Sequence, residues 1–209
     1  MKNSKERNFE RELPEGYTEK LYINAKKAKW GIIFNLVGFA IAVVVMVFAI
    51  LALGWGDITL SEAFDVNRGQ YGLAFIVFVV TTLAYVVLHE LVHGLCYKLL
   101  TGEKLTFGLS WSCAFCGVPN IYTYRKTAII AVLAPLVIFT MIFVPILVLL
   151  YTASPIYFLF IALEFGLHLG GCSGDLYAFY LLAFRFRGKK LLMRDTGPEQ
   201  FFYVCDKED

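Results

Sequence analysis

The chain has 209 residues, a formal net charge of +2, 58% hydrophobic residues and a mean hydropathy of +0.64. An apolar share so far above that of a soluble domain makes it an integral membrane protein, of a length that fits one compact domain. A nearly balanced charge, with no basic stripe interleaved with aromatics, excludes nucleic acid as a partner.

Residues 1–29 are polar, with eight lysines and arginines among five glutamates, a turn at Leu13-Pro14-Glu15-Gly16 and the basic cluster Lys26-Lys27-Ala28-Lys29 set against a membrane face. No signal-peptide core precedes Trp30, so this segment is expected to stay in the cytoplasm. Trp30 to Leu53 is free of charge for 24 residues, long enough to cross about 30 Å of hydrocarbon with some tilt, and is the first predicted span. Residues 54–70 hold three acids and one arginine and form an aqueous connector. Residues 71–100 are the second span. Within 101–126, weak alternation over Thr106–Trp111 and turn residues over Cys113–Asn120 predict a short hairpin or re-entrant loop. Residues 127–151 are the third span, with kinks expected at Pro135 and Pro145. Residues 156–184 are the fourth, and 185–209 a polar tail.

The expected fold class is an all-α integral membrane protein. A transmembrane domain over 30–184 lies between a cytoplasmic segment 1–29 and a cytoplasmic tail 185–209, with the hairpin between helices 2 and 3. Lysines and arginines number 8 in residues 1–29, 1 in 54–70, 3 in 101–126, 0 in 152–155 and 6 in 185–209. That asymmetry places both termini and the 101–126 loop in the cytoplasm of a cell with this plasma membrane.

The last third of the second span carries Leu88-His89-Glu90-Leu91-Val92-His93-Gly94. His89 and His93 are four apart, so a helix stacks them on one face at a spacing one tetrahedral metal ion can bridge. Glu90 points about 100° away, where it can take a proton from an attacking water and pass it to a leaving amine. HExxH alone is a short pattern. Here it follows a charge-free run from Tyr71 to Leu88, and ionisable groups at membrane depth are functional candidates by default.

The fourth span carries Glu164, His168 and Asp175 among Gly166, Gly170, Gly171 and Gly174. On a continuous helix, positions 164, 168, 171 and 175 form one polar stripe, which has to face protein or water. Glycine every fourth residue predicts a close helix neighbour, for which the motif helix is expected. Counted from the outer ends of their spans, His89–His93 and Asp175 fall at one level, roughly 30 Å down, near the cytoplasmic face. Asp175 is therefore the expected third ligand, ahead of His168 and then Glu164. His168 lies about 10 Å higher unless the helix breaks at Gly170-Gly171. Otherwise Glu164 and His168 form a hydrogen-bonded pair, support the metal site or line a substrate path. Cys113 and Cys116 are a lone CxxC, a weak signal for metal or redox chemistry, and five cysteines give no disulfide framework. Cys96 and Cys172 read as small buried fillers.

With His89-Glu90-Leu91-Val92-His93-Gly94, Leu133-Ala134-Pro135 and Gly171-Cys172-Ser173-Gly174-Asp175 in view, the chain resembles a bacterial membrane family of unknown function classed as putative zincin peptidases. It looks distantly like the site-2 proteases, and the resemblance covers most of residues 70–205. In site-2 proteases two helical histidines and an aspartate from a later helix hold zinc while the glutamate activates water. The resemblance implies those roles for His89, His93, Asp175 and Glu90. The aspartate here lacks a Leu-Asp-Gly setting and the chain has no room for a PDZ module, which leaves the substrate class open.

The expected function is a membrane-embedded metallopeptidase holding one zinc ion and hydrolysing membrane protein or peptide substrates near the cytoplasmic face of the bilayer. The strand-like 104–111 segment and Pro119-Asn120 offer an edge for an extended substrate. Two readings from other classes stand beside it. One is a divalent-metal transporter or sensor lined by Glu164, His168, Asp175, His89, Glu90 and His93. The other is a non-catalytic scaffold whose metal only staples helices 2 and 4, in which Glu90 would have no task.

Overall fold

In the computed structural model the described residues are 8–56, 58–65, 68–110 and 113–206. The apolar runs are helical because backbone N–H and C=O groups in hydrocarbon have to be satisfied within their own segment. Along the chain lie β1 (Phe9–Glu10), β2 (Tyr17–Asn24), α1 (Ala28–Trp55), α2 (Leu60–Phe64), α3 (Arg68–Thr101), β3 (Thr106–Leu109), β4 (Ala114–Gly117) and β5 (Tyr122–Tyr124). Then follow α4 (Arg125–Ala153), α5 (Pro155–Gly171), α6 (Ser173–Tyr180), a π-helical turn (Leu181–Arg185), β6 (Leu191–Asp195) and β7 (Glu199–Cys205). Four stretches, 28–55, 68–101, 125–153 and 155–185, are long and apolar enough to cross a membrane. The protein is a membrane protein, mostly helical. Part of the predicted N-terminal segment (1–7), Asp57, Val66, Asn67, Trp111, Ser112 and the last three tail residues lie outside the described residues.

Contacts group the chain into two units: residues 1–32, 88–135 and 174–209 make the first, and 33–87 with 136–173 the second. The first unit corrects the all-α expectation. Its five-stranded sheet runs in the order β1-β5-β6-β7-β2, with every pair antiparallel. The segments read as polar ends supply four of the five strands. Their charges masked the pattern, although Tyr17, Leu21, Tyr22 and Ile23 are strand formers. Leu191-Leu192-Met193 and Phe201-Phe202-Tyr203-Val204 flank Thr196-Gly197-Pro198, a hairpin signal. Leu192, Met193 and Phe202 have no exposed surface at all, so this tail is core. A second, smaller core joins Tyr97, Val118, Ile121 and Ala131.

β3 and β4 pair antiparallel, Phe107 opposite Cys116 and Gly108 opposite Phe115. Arg125, at the start of α4, donates to the Leu182, Phe186 and Lys189 carbonyls. It thereby satisfies acceptors that the end of the last helix would otherwise leave orphaned.

In the second unit a core of Ala49, Leu53, Phe158, Leu159 and Ala162 joins α1 to α5. The glycine stripe belongs to this contact, which corrects the expectation that the motif helix is its neighbour. A Cβ built on Gly38 would lie 2.9 Å from the Gly170 carbonyl oxygen, and one on Gly170 only 2.4 Å from that of Gly38. Gly166 meets Ala42 and Val45 in the same way. Two backbones this close leave room for no side chain, the small-xxx-small logic applied to α1 instead of α3. The fourth apolar stretch is also not one continuous helix. It breaks at Cys172, whose N–H turns back to the Gly170 and His168 carbonyls, before α6 begins at Ser173.

Candidate metal centre

His89, Glu90 and His93 on α3 and Asp175 on α6 all belong to the first unit. His89 Nε2 lies 3.3 Å from one Asp175 carboxylate oxygen and His93 Nε2 lies 3.4 Å from the other. The imidazole centroids are 5.0 Å apart. A tetrahedron with metal–ligand bonds of about 2.0–2.1 Å has edges of roughly 3.3 Å. The two nitrogen–oxygen separations match that edge, and one donor atom from each of the three residues falls within 4.8 Å of the others. Two imidazoles and a carboxylate are a donor set that suits zinc.

One histidine is already oriented for this task. His93 Nδ1 is 2.8 Å from the Ala131 carbonyl of α4. A carbonyl only accepts, so Nδ1 carries the proton and Nε2 turns its lone pair toward Asp175 and His89. Both histidines are buried.

Glu90 sits on the neighbouring flank of α3, half-buried, with the backbone of Cys116 in β4 beside its carboxylate. Gly94 lets β3 and β4 come this close: a Cβ there would be 2.6 Å from the Phe107 ring and 3.2 Å from the Cys116 sulfur. Burial, with the carboxylates of Asp195 and Glu90 nearby, pushes the Cys116 thiol up to about 12. A thiol held neutral is a poor nucleophile. Among the described residues Cys113 and Cys116 enter no group that could hold a metal, and no disulfide forms.

Two residues of this site were missed in the sequence. Tyr97 continues the 89–93 stripe by one more turn, and its hydroxyl donates to Asp195 Oδ2 at 2.8 Å. Asp195 is 4% exposed, and burial raises its carboxyl to about 6 despite the hydrogen bonds it accepts from Tyr97 and the Gly197 amide. The i+8 spacing of Tyr97 was a readable signal. For Asp195 there was none beyond the Asp-Thr-Gly-Pro turn.

Glu164 and His168 lie in the second unit and are buried. Glu164 accepts from the Thr81 hydroxyl at 2.8 Å. His168 Nδ1 is 2.9 Å from the Tyr85 hydroxyl and Nε2 3.3 Å from that of Thr140, inside a ring of Phe139, Phe143 and Phe165. The two side chains are thus bonded to Thr81, Tyr85 and Thr140.

Two histidines a helical turn apart and a carboxylate from a later helix form a group that could hold a metal ion. Residues 82–189 match the family described as "Putative zincin peptidase", and the chain belongs to that family. The family implies a zinc metallopeptidase. No curated protein and no solved structure matches the chain.

Proposed function

We propose that the protein is a membrane-embedded zinc metallopeptidase of site-2-protease type, which hydrolyses peptide bonds of membrane-associated substrates close to the cytoplasmic face. His89, His93 and Asp175 would hold one zinc ion, and Glu90 is the general base. The observation that carries this reading is the convergence of His89, His93 and Asp175, with one donor atom from each within 4.8 Å of the others, beside a carboxylate outside that set. Zinc bound there supplies Lewis-acid polarisation of the scissile carbonyl and activation of water. The chain's own residues do the rest. The Ala131 carbonyl fixes the His93 ring, β4 flanks the Glu90 carboxylate, and Glu90 takes the proton of the attacking water and hands it to the leaving amine. β3 and β4 offer strand edges on which an extended substrate can pair.

The test is metal removal from purified protein. A zinc chelator should abolish cleavage of peptides that adjoin a membrane span, and stoichiometric zinc should restore it. Cleavage that survives complete removal of zinc, verified by metal analysis, would end the metallopeptidase reading.

The orientation follows from the lysine and arginine asymmetry. Reporters fused after residues 60 and 154 are expected to read as extracellular, and those after 115 and 205 as cytoplasmic. A cytoplasmic signal at 60 reverses the side on which the site opens.

A further inference from the structure

The turn Asp195-Thr196-Gly197 between β6 and β7 touches two other parts of the first unit at once. The Asp195 carboxylate accepts from the Tyr97 hydroxyl at 2.8 Å and from the Gly197 N–H at 2.9 Å, while its main-chain carbonyl accepts from the Val118 N–H at 2.8 Å. Tyr97 stands one helical turn beyond His93. Val118 directly follows β4 and is two residues from Cys116, whose backbone lies beside the Glu90 carboxylate. Between them, Gly117 lies flat on the turn: a Cβ there would be 2.2 Å from the Gly197 nitrogen. With Asp195 at 4% and Tyr97 at 1% exposure, neither polar group has water to fall back on, and deleting one strands the other.

We propose that Asp195 is a positioning residue of the peptide-cleaving site, fixing the backbone of β4 against Glu90 while Tyr97 ties the same turn to the helix that carries Glu90. The inference rests on the metallopeptidase reading. Asp195 acts through the backbone of β4, and it lies in the tail, far along the chain from the HExxH motif. A Glu90 carboxylate flanked by the β4 backbone is confined in the direction it presents to the attacking water. Once β4 is released, the carboxylate rotates and the proton acceptor is out of line for part of the time.

The test compares Asp195→Ala, Asp195→Asn and Tyr97→Phe with Thr123→Val, a control that removes a buried hydroxyl bonded to the Met193 carbonyl in the same sheet and leaves the turn alone. All are measured as full-length, zinc-loaded protein, for zinc content, steady-state cleavage and amide hydrogen exchange over residues 114–118. Asp195→Ala and Tyr97→Phe should keep their zinc and show kcat lowered by on the order of 10- to 100-fold, the range for residues that orient a metal site from behind, with little change in KM. Exchange at Cys116 and Val118 should accelerate in both and stay as in wild type in Thr123→Val. Asp195→Asn, which can still accept from Gly197 and pair with the Tyr97 hydroxyl, should recover most of both readouts.

Unchanged kcat or unchanged exchange at Cys116 in Asp195→Ala overturns the proposal. So does loss of zinc in that variant, or an equal loss of kcat in Thr123→Val, because either makes the turn a purely structural element. A zinc-loaded wild type that cleaves no peptide overturns the peptidase reading instead. The exchange measurement then decides the contact by itself, faster exchange at Cys116 in Asp195→Ala supporting it and unchanged exchange refuting it.

Discussion

Glu90→Gln is expected to leave zinc bound at wild-type stoichiometry while hydrolysis falls by on the order of 10²–10⁴, the share that a positioned general acid–base supplies. Glutamine keeps the size and shape of the side chain beside the Cys116 backbone, so β4 has no reason to move. What it loses is the basic oxygen. The three donors His89, His93 and Asp175 are untouched, which separates the chemical step from the metal. Cleavage and metal content measured on one preparation decide the matter. Full activity in Glu90→Gln, or zinc lost as badly as in a ligand variant, would remove Glu90 from the role of proton shuttle.

The second large effect is on the metal. His89→Ala and Asp175→Ala each delete one of three protein donors, and both variants are expected to be purified with little zinc and no hydrolysis. Binding is linked to folding. Zinc at 100 times its dissociation constant adds about 2.7 kcal/mol to the wild type through mass action, and the ligand variants should not show that gain. Melting curves with and without added zinc read this directly. A wild-type zinc complement in Asp175→Ala would exclude Asp175 from the ligand set, leaving another residue to complete it.

The reach of the sequence is clearest at particular residues. The motif helix was legible because His89 and His93 are local partners whose spacing is set by helix geometry, and because charge is so costly in an apolar run that it marks itself. The nearness of Asp175 to both histidines was legible from its place relative to the span ends. The sheet was not. Tyr17 pairs with Cys205 and Phe9 with Thr123, partners that no local pattern connects, and lysines and glutamates on the outer faces disguised strands whose inner faces are apolar. The glycine stripe showed that a close neighbour existed and could not say which. Gly38 carries the answer, but Gly31, Gly38 and Gly54 of α1 do not recur every fourth residue. Tyr97 and Asp195 illustrate the same limit, since half of that pair was visible as a stripe and the other half is supplied by a turn 98 residues away.

The pairing of β2 with β7 also sets a clock. Thr18 reaches Asp206 across 188 residues of sequence, so the outer strand at one end of the sheet has no partner until nearly the whole chain has left the ribosome. At roughly 5–20 residues per second that interval is about 10–40 s. Asp195, delivered by the same late hairpin, arrives only then. During synthesis the motif helix can enter the bilayer long before β6 and β7 are made, so the sheet beside it is closed last.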